Sequence, residues 1–242
     1  MKLPQSWALP DTIKNRFGQK RSGKQRAMLA DGHLLLVLHR RPRAGDRTRT
    51  GVFYWRKPDG SWLYSGGSSG LSQLIKHVRE YSDAEETLAD AYDQATTADD
   101  YFDILEQIGP LRLATKNLHS TLQSAREGIA DDRDIIDLRD SAHDIERTLD
   151  LLYENTKNAL DYKIAKRSEE QTQLSLASVE AGHRLNILAA IFFPLTAISC
   201  VFGMNVVSGL ENHSTETFWA ITLSSVVIGL WVRRWVVRGS WR

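Results

Sequence analysis

Apolar residues are concentrated near the C-terminal end of the chain, in two runs separated by a short polar loop. The first run extends from Leu185 to Phe202, and the second begins at Phe218. A bilayer core about 30 Å thick requires roughly 20 helical residues, so the segment from Arg184 to Met204 is long enough to cross it. The second run, from Thr217 to Val232, is shorter, but tryptophans and arginines at its end are typical of a membrane interface. The pattern predicts two transmembrane helices, with a buried helical hairpin of a soluble protein as the alternative.

The N-terminal part of the chain has a different pattern, which predicts short strands. Five consecutive apolar residues lie within the segment Gly32 to Arg40, and Val52 to Arg56 is rich in strand formers. The sequence Lys57-Pro58-Asp59-Gly60 has turn chemistry, so Trp62 to Tyr64 is predicted to return antiparallel and complete a hairpin. The segment Ser65 to Gly70 then marks the change from strand to helix.

Helix-forming residues dominate the rest of the chain, and helices are predicted at about 71–95, 98–125 and 132–205. At 1.5 Å per residue, the roughly 70 residues of the third helix extend on the order of 100 Å. This length favours a stalk that continues into the first membrane span. The third helix also repeats apolar residues at spacings of four and three, which predicts a seam that packs on another helix and associates stalks. The seam consists of Leu138, Ala142, Ile145, Leu149, Leu152, Thr156 and Ala159.

Charged residues are strongly segregated although the net charge is only +1. Residues 1–57 carry fourteen Lys or Arg and three Asp, whereas residues 80–106 carry ten acids and no Lys or Arg. The basic segment indicates an anionic leaflet or an acidic neighbour. No helix-turn-helix, zinc-finger or aromatic-platform pattern accompanies it, so no nucleic-acid partner is expected. The acidic segment is either a solvated helix face or a surface that attracts cations.

Basic residues flank the two predicted spans on one side only. Arg184 precedes the first span and four arginines follow Val232, whereas the loop from Val206 to Glu216 contains no Lys or Arg. The positive-inside rule therefore places both termini in the cytoplasm and the loop outside. No N-terminal segment has the pattern of a signal peptide, so the first span is expected to direct insertion. Cys200 is the only cysteine, which excludes an intrachain disulfide.

The most specific motif lies at the end of the first span, where residues Phe192 to Asn205 read FFPLTAISCVFGMN. A Gly-Met-Asn tripeptide with Pro-Leu-Thr upstream, a span before it and a span after it resembles the CorA family of divalent metal ion transporters. The resemblance covers roughly Asp131 to Arg242. It implies an α+β membrane protein with a small α/β N-terminal cytoplasmic domain. It also implies a long stalk helix that continues into the first of two C-terminal transmembrane helices, and a CorA-like homopentamer in the cell inner membrane.

On this basis the chain is predicted to contain six segments. They are a cytoplasmic α/β domain (1–130), a cytoplasmic stalk helix (131–183), the pore-forming transmembrane helix (184–205), an external loop (206–216), a second transmembrane helix (217–233) and a basic cytoplasmic tail (234–242).

The resemblance assigns a selectivity filter to Gly203, Met204 and Asn205. An asparagine carbonyl accepts hydrogen bonds from the waters of hydrated Mg²⁺ and carries no charge that would hold the dication too tightly. Thr196 either offers its hydroxyl to hydrated ions or donates to a carbonyl of its own helix. Phe193 either narrows the pore, as an apolar ring, or packs between helices. Helical spacing back from Asn205 selects the predicted pore-lining face, which consists of Leu185, Ala189, Phe193, Thr196 and Cys200.

Acidic residues supply further candidate sites by resemblance. Glu211 matches an acidic residue of the family's outer loop, where carboxylates concentrate cations, and an ordinary exposed loop glutamate is the alternative. Family members close when Mg²⁺ fills acidic sites between cytoplasmic domains. Asp137, Asp140 and Asp144 are candidates for such a regulatory site by position, and Asp144 is preferred because it flanks the apolar seam. The sequence departs from the family at Phe193, where a methionine is usual.

The predicted function is potential-driven influx of Mg²⁺ through a homopentameric pore, with Co²⁺ and Ni²⁺ as further candidate ions. Mg²⁺ is the transported ion and a candidate regulatory ion, and the predicted partners are the lipid bilayer, divalent cations and other copies of the chain. No enzymatic activity or cofactor is expected, because the chain has no phosphate-binding loop and its seven histidines lack metal-ligand spacing. One alternative is a Zn²⁺ transporter of the ZntB type, although that branch resembles Gly-Ile-Asn at the filter. The other is a non-conducting membrane-anchored structural or sensing protein, which the short cytoplasmic part suggests.

Overall fold

The computed structural model describes residues 3–17, 23–43, 45–46, 48–67, 69–203 and 215–238. The chain divides into two compact units, Met1–Ala165 and Lys166–Arg242, and their boundary falls within one long helix. In chain order the elements are α1 (Asp11–Lys14), β1 (Arg26–Ala30), β2 (His33–His39), β3 (Gly51–Arg56), β4 (Trp62–Tyr64), α2 (Gly70–Gln94), α3 (Ala98–Gly128), α4 (Arg133–Gly203) and α5 (Thr215–Arg238).

The four strands form one antiparallel sheet in the order β1-β2-β3-β4. Val37 of β2 lies opposite Phe53 of β3. Leu34 and Leu36 belong to the core on the helical side of the sheet, whereas Leu35 and Val37 belong to a second cluster on the other side. Because both faces of β2 are covered, its apolar run is continuous rather than alternating.

The N-terminal segment covers the second face of the sheet. Trp7, Leu9 and Ile13 are buried with Phe53 and Trp55 in the second cluster. The rings of Trp7 and Trp55 lie 5.6 Å apart between centroids. Neither this segment nor α1 was predicted from the sequence, and the sheet is more completely covered than its short predicted strands indicated.

Two hairpins depend on turn residues with positive φ. The predicted β3–β4 hairpin is confirmed, since Tyr54 pairs with Tyr64 and the Gly60 amide (φ 83°) donates to the Lys57 carbonyl at 3.0 Å. Strand β1 was not predicted. It is joined to β2 by Asp31 and Gly32, with φ of 49° and 74°, and an Asp-Gly pair between strands is a strong signal for a type I′ hairpin.

The three predicted long helices are confirmed where the structure describes them, with bounds that agree to within about one turn. A capping box begins α3. The hydroxyl of Thr97 accepts a hydrogen bond from the Asp100 amide at 3.1 Å, and the Asp100 carboxylate accepts one from the Thr97 amide at 2.8 Å. These bonds satisfy two of the amides that a helix leaves unpaired at its start.

The apolar seam of α4 is buried inside the N-terminal unit. Ala142 and Leu149 are fully buried and share one core with Leu74 of α2 and Leu118 of α3. The seam therefore packs on other helices, as predicted, but these helices belong to the same chain. The expectation that the seam associates stalks of different subunits is wrong, because α2 and α3 already cover it.

Asp132 fixes the start of α4 through both carboxylate oxygens. Its Oδ1 accepts a hydrogen bond from the Ile135 amide at 3.2 Å, and its Oδ2 accepts one from Arg56 Nε of β3 at 2.6 Å. Only 9% of the Asp132 side chain and 16% of the Arg56 side chain are exposed. A largely buried ion pair thus links β3 to the start of α4.

In the C-terminal unit, α5 approaches the backbone of α4 closely. Ser225 and Gly229, one helical turn apart on α5, are buried. A Cβ atom added at Gly229 would lie 3.1 Å from the carbonyl oxygen of Ile191. Small residues four positions apart allow this kind of approach between helices in membranes.

Candidate functional site

The predicted selectivity filter begins at the C-terminal end of α4. Gly203 is the last residue of that helix. Met204, Asn205 and the outer-loop Glu211 lie outside the described residues. The roles assigned to these residues stay predictions.

The predicted pore-lining residues share one face of α4, and four of the five are exposed. Phe193 is 72% exposed and Leu185 is 66% exposed. Thr196 and Cys200 are also exposed, and Ala189 is half-buried. At 100° per residue, these five side chains fall within about 80° of one another around the helix.

A second face of α4 includes Ile191, whose backbone lies against Gly229 of α5. Ile187, Ile191, Pro194 and Ile198 are half-buried, at successive spacings that repeat one side of a helix. The centre of this face lies about 180° around the helix axis from the centre of the predicted pore face. Since α5 approaches α4 on this side, it leaves most of the predicted pore-lining side exposed.

The hydroxyl of Thr196 donates a hydrogen bond to the carbonyl oxygen of Phe192 at 2.7 Å. This bond within its own helix is the predicted alternative to a role in the pore. A hydroxyl that donates in this way keeps lone pairs that can accept hydrogen bonds from water. The bond is therefore compatible with contact to the waters of a hydrated cation.

The C-terminal part of α4 is also the apolar part. Among the described residues, one helix is long and apolar enough to cross a bilayer, and it is α4. Its most apolar 18-residue window has a mean hydropathy of 1.8, and no part of that window is buried within the chain. An apolar surface this large requires a cover of lipid or of other protein.

Residues 68–238 match the family model described as the CorA-like Mg2+ transporter protein. The chain belongs to this family. The match begins just before α2 and ends at the last residue of α5, so it includes the core helices of the N-terminal unit and the predicted pore-lining face of α4. The CorA-like family is a family of membrane transporters, and no curated protein matches the chain individually.

Three solved structures resemble this CorA-like chain at low identity. The CorA magnesium transporter from Methanocaldococcus jannaschii is 17% identical, with a TM-score of 0.38 over 95% of this chain and 84% of that one. The full-length CmaX protein is 14% identical, with a TM-score of 0.45 over 90% and 79% of the two chains. The ZntB cytoplasmic domain from Vibrio parahaemolyticus RIMD 2210633 is 12% identical, with a TM-score of 0.37 over 67% and 80%. The family assignment rests on the match of residues 68–238.

The three candidate regulatory acids lie on the exposed side of α4 within the N-terminal unit. Asp137, Asp140 and Asp144 are all exposed, and Asp140 pairs with Arg139 at 2.8 Å. Asp144 lines a groove between α2 and α4 together with Glu85 of α2. Burial raises the pKa of Glu85. Arg79 of α2 lines the same groove, so both Asp144 and Asp140 have a cationic side chain nearby.

The segregated charges of the sequence meet within the N-terminal unit. Arg40, Arg41 and Arg43, after β2, line one cavity with Glu80 and Asp83 of α2. Of the two explanations offered for the basic segment, this arrangement supports an acidic neighbour, here within the same chain. The acidic stretch of α2 is therefore in part a partner for the basic residues.

A group of possible metal ligands was missed in the sequence. His119 of α3 lies beside His143 and Glu146 of α4, and one ligand atom from each residue lies within 4.8 Å of the others. The spacing between His143 and Glu146 on one helix face was available as a signal. The contribution of His119 was not, because it depends on the pairing of α3 with α4.

Another histidine of the N-terminal unit has a strongly lowered pKa. His77 of α2 is buried between the rings of Tyr54 and Tyr81. Burial, aided by the nearby Arg40, lowers the pKa of His77 to about 4. This side chain is neutral at pH 7 and belongs to the core.

Proposed function

We propose that this CorA-like protein is a divalent cation channel that mediates potential-driven influx of Mg²⁺, with Co²⁺ and Ni²⁺ as further permeant ions. The observation that carries the proposal is the largely exposed face of α4, which runs from Leu185 to Cys200 and leads to Gly203-Met204-Asn205. Because α5 packs on the opposite side, copies of α4 are free to surround a common axis. The proposed assembly is a homopentamer, as the family resemblance implies.

The chemistry of the proposed filter suits a hydrated ion. Mg²⁺ prefers octahedral oxygen coordination and gives up its waters reluctantly, so a pore that conducts it should bind the hydrated form. The neutral carbonyl of Asn205 accepts hydrogen bonds from those waters. Gly203 permits close approach of neighbouring subunits, and Met204 supplies packing rather than a ligand for a hard ion.

Below the filter, the proposed pore face of α4 carries Thr196 nearer the filter and apolar side chains farther from it. Thr196 offers a hydroxyl oxygen to water, whereas Phe193 and Leu185 form apolar rings that can gate a pore by dewetting. Phe193 is more exposed than Leu185 in the single chain, at 72% against 66%. A pentamer would bring five such rings to the axis and cover the surface that the single chain leaves open.

The proposed topology places residues 184–205 and 217–233 in the inner membrane, the loop 206–216 with Glu211 outside, and residues 1–183 and 234–242 in the cytoplasm. An inside-negative potential of 100 mV favours influx of a dication by about 4.6 kcal/mol, so transport needs no ATP site. Glu211 would raise the local concentration of cations at the outer mouth.

Modification of the native cysteine tests the pore assignment. The chain is reconstituted into liposomes that contain a Mg²⁺ indicator, a potential is applied, and influx is followed with and without a charged thiosulfonate reagent. Cys200 is exposed on the predicted pore face. Its thiol should react from the aqueous pore, and the bulky charged product should block influx.

Two variants make the test specific. Cys200→Ser should conduct and resist the reagent. The exchanged variant Ser199→Cys/Cys200→Ser moves the thiol about 100° around the helix, away from the pore face, and should also resist. The assignment would be contradicted if the reagent blocked influx through the exchanged variant as strongly as through the wild-type protein. It would also be contradicted if the wild-type protein were modified at Cys200 and its influx did not change.

A further inference from the structure

Helices α3 and α4 run antiparallel in the N-terminal unit and are joined by two sets of polar contacts. Arg112 of α3 pairs with Asp150 of α4, and its guanidinium also lies 4.8 Å from the ring centroid of Tyr153. Farther along α3, His119 faces the preceding turns of α4. The first set is an ordinary ion pair with a cation over an aromatic ring. The second set has a different composition, because it joins two imidazoles and a carboxylate.

The second set is compact. His119 Nδ1 lies 2.6 Å from Glu146 Oε2, and the ring centroids of His119 and His143 are 4.9 Å apart. His143 and Glu146 are three residues apart on α4, a spacing that places two side chains on the same face of a helix. Ligand atoms from all three residues lie within 4.8 Å of one another. Small rotations of the side chains bring such atoms to the separation of about 3.3 Å that a tetrahedral site with bonds near 2.0 Å requires.

The three side chains differ in how much of their surface is exposed. His119 and Glu146 are mostly buried, with 22% and 18% of their side chains exposed, whereas His143 is exposed. Two ligands are therefore held in place by the surrounding helices, and the third lies toward solvent. This arrangement gives an ion access from solvent and leaves a coordination position for water.

We propose that His119, His143 and Glu146 form a binding site for a transition-metal dication such as Zn²⁺. Imidazole nitrogens suit Zn²⁺ and other transition-metal dications, whereas Mg²⁺ requires oxygen ligands, so this site discriminates against Mg²⁺, the main ion of the proposed pore. The bound metal would join α3 to α4 within the N-terminal unit. The proposal goes beyond the proposed function, since none of its residues lies in the segment that forms the proposed pore.

The site is tested by titrating the full-length chain in detergent micelles with Zn²⁺ and measuring binding by calorimetry. His143→Gln is the main variant, because an exposed side chain can be replaced with little effect on folding. His183→Gln is the matched control, since His183 is an exposed histidine of the same helix outside the cluster. The wild-type protein and the control should bind Zn²⁺ equally, and His143→Gln should weaken binding by at least about 10-fold.

A second readout separates loss of a ligand from loss of structure. Zn²⁺ should raise the Tm of the wild-type protein, because a ligand that binds only the folded state stabilises it. His143→Gln without metal should keep the wild-type Tm, and Zn²⁺ should then raise its Tm much less. The proposal is overturned if the wild-type protein shows no Zn²⁺ binding, if His143→Gln binds as tightly as the wild-type protein, or if His183→Gln causes the same loss.

Discussion

Replacement of Asp132 tests how strongly the sheet holds the start of the long helix α4. Its carboxylate caps the helix at the Ile135 amide and also accepts a hydrogen bond from Arg56 Nε at 2.6 Å. Asp132→Ala removes both interactions. Asp132→Asn keeps an oxygen that can cap the helix but removes the charge. Arg56→Met removes the cation and keeps most of the apolar stem of the side chain.

The expected losses follow from the burial of the pair. Removal of one partner from a buried ion pair costs about 3–5 kcal/mol, and loss of an N-cap costs about 1 kcal/mol. Because Arg56 and Asp132 keep 16% and 9% exposure, the lower end of the ion-pair range applies. The free energy of unfolding should fall by about 3 kcal/mol in Asp132→Asn or Arg56→Met, and by about 4 kcal/mol in Asp132→Ala.

The assay is urea denaturation of the full-length chain in detergent, monitored by pulsed hydrogen exchange. The amides of β2 report on unfolding of the N-terminal unit. The exposed Lys14–Asp11 pair, at 3.2 Å, provides a control, and Lys14→Met should change stability little. The double variant Arg56→Met/Asp132→Ala should lose at least about 1 kcal/mol less than the sum of the single losses, since no charge is left unpaired. Simple additivity, or a loss below about 1 kcal/mol in Asp132→Ala, would refute the reasoning.

Three further outcomes are expected. Because the pKa of His77 is about 4 when folded and about 6.5 when unfolded, the unfolded state binds more protons below pH 6.5. Stability should therefore fall by up to about 3 kcal/mol as the pH decreases from 6.5 to 4, and pH titration of urea denaturation should show a smaller fall in His77→Phe. Thr97→Ala should lower the free energy of unfolding by about 1 kcal/mol in the same assay at pH 7, through loss of the α3 cap. Gly229→Val should lower the Tm of the detergent-solubilised protein, because the new side chain meets the Ile191 backbone. Ser224→Val, on the exposed side of α5, should leave the Tm unchanged. Equal Tm values for these two variants would contradict the close packing.

Much of the N-terminal unit could be predicted from local signals. The apolar run in β2 and the turn residues before Gly60 are sufficient to place two strands and a hairpin. Strand β1 gave a weaker signal, because Met28 is its one buried residue and its pattern does not alternate. The Asp31-Gly32 turn was the better signal for that strand. An Asp-Gly pair between strands usually indicates a turn in which both residues have positive φ, as they do here.

What the sequence could not provide is the identity of the partner for each apolar face. The seam of α4 has the periodicity of a helix that associates with another helix, and periodicity is the same whether the partner is in the same chain or in another. In the structure α2 and α3 cover it. The metal-ligand group depends likewise on the register of α3 against α4, which brings His119 to His143. In the C-terminal unit, the side of α4 that α5 covers depends on close packing at Gly229.

Mg²⁺ influx into proteoliposomes that contain the full-length chain, compared with the Asn205→Ala variant, tests the central claim most directly. Under an inside-negative potential, the wild-type protein should take up Mg²⁺, and influx should rise with the potential. Asn205→Ala should reconstitute to the same extent and lose most of this influx, because the neutral oxygen that accepts hydrogen bonds from the ion's waters is gone. Influx through Asn205→Ala at the wild-type rate would contradict the account.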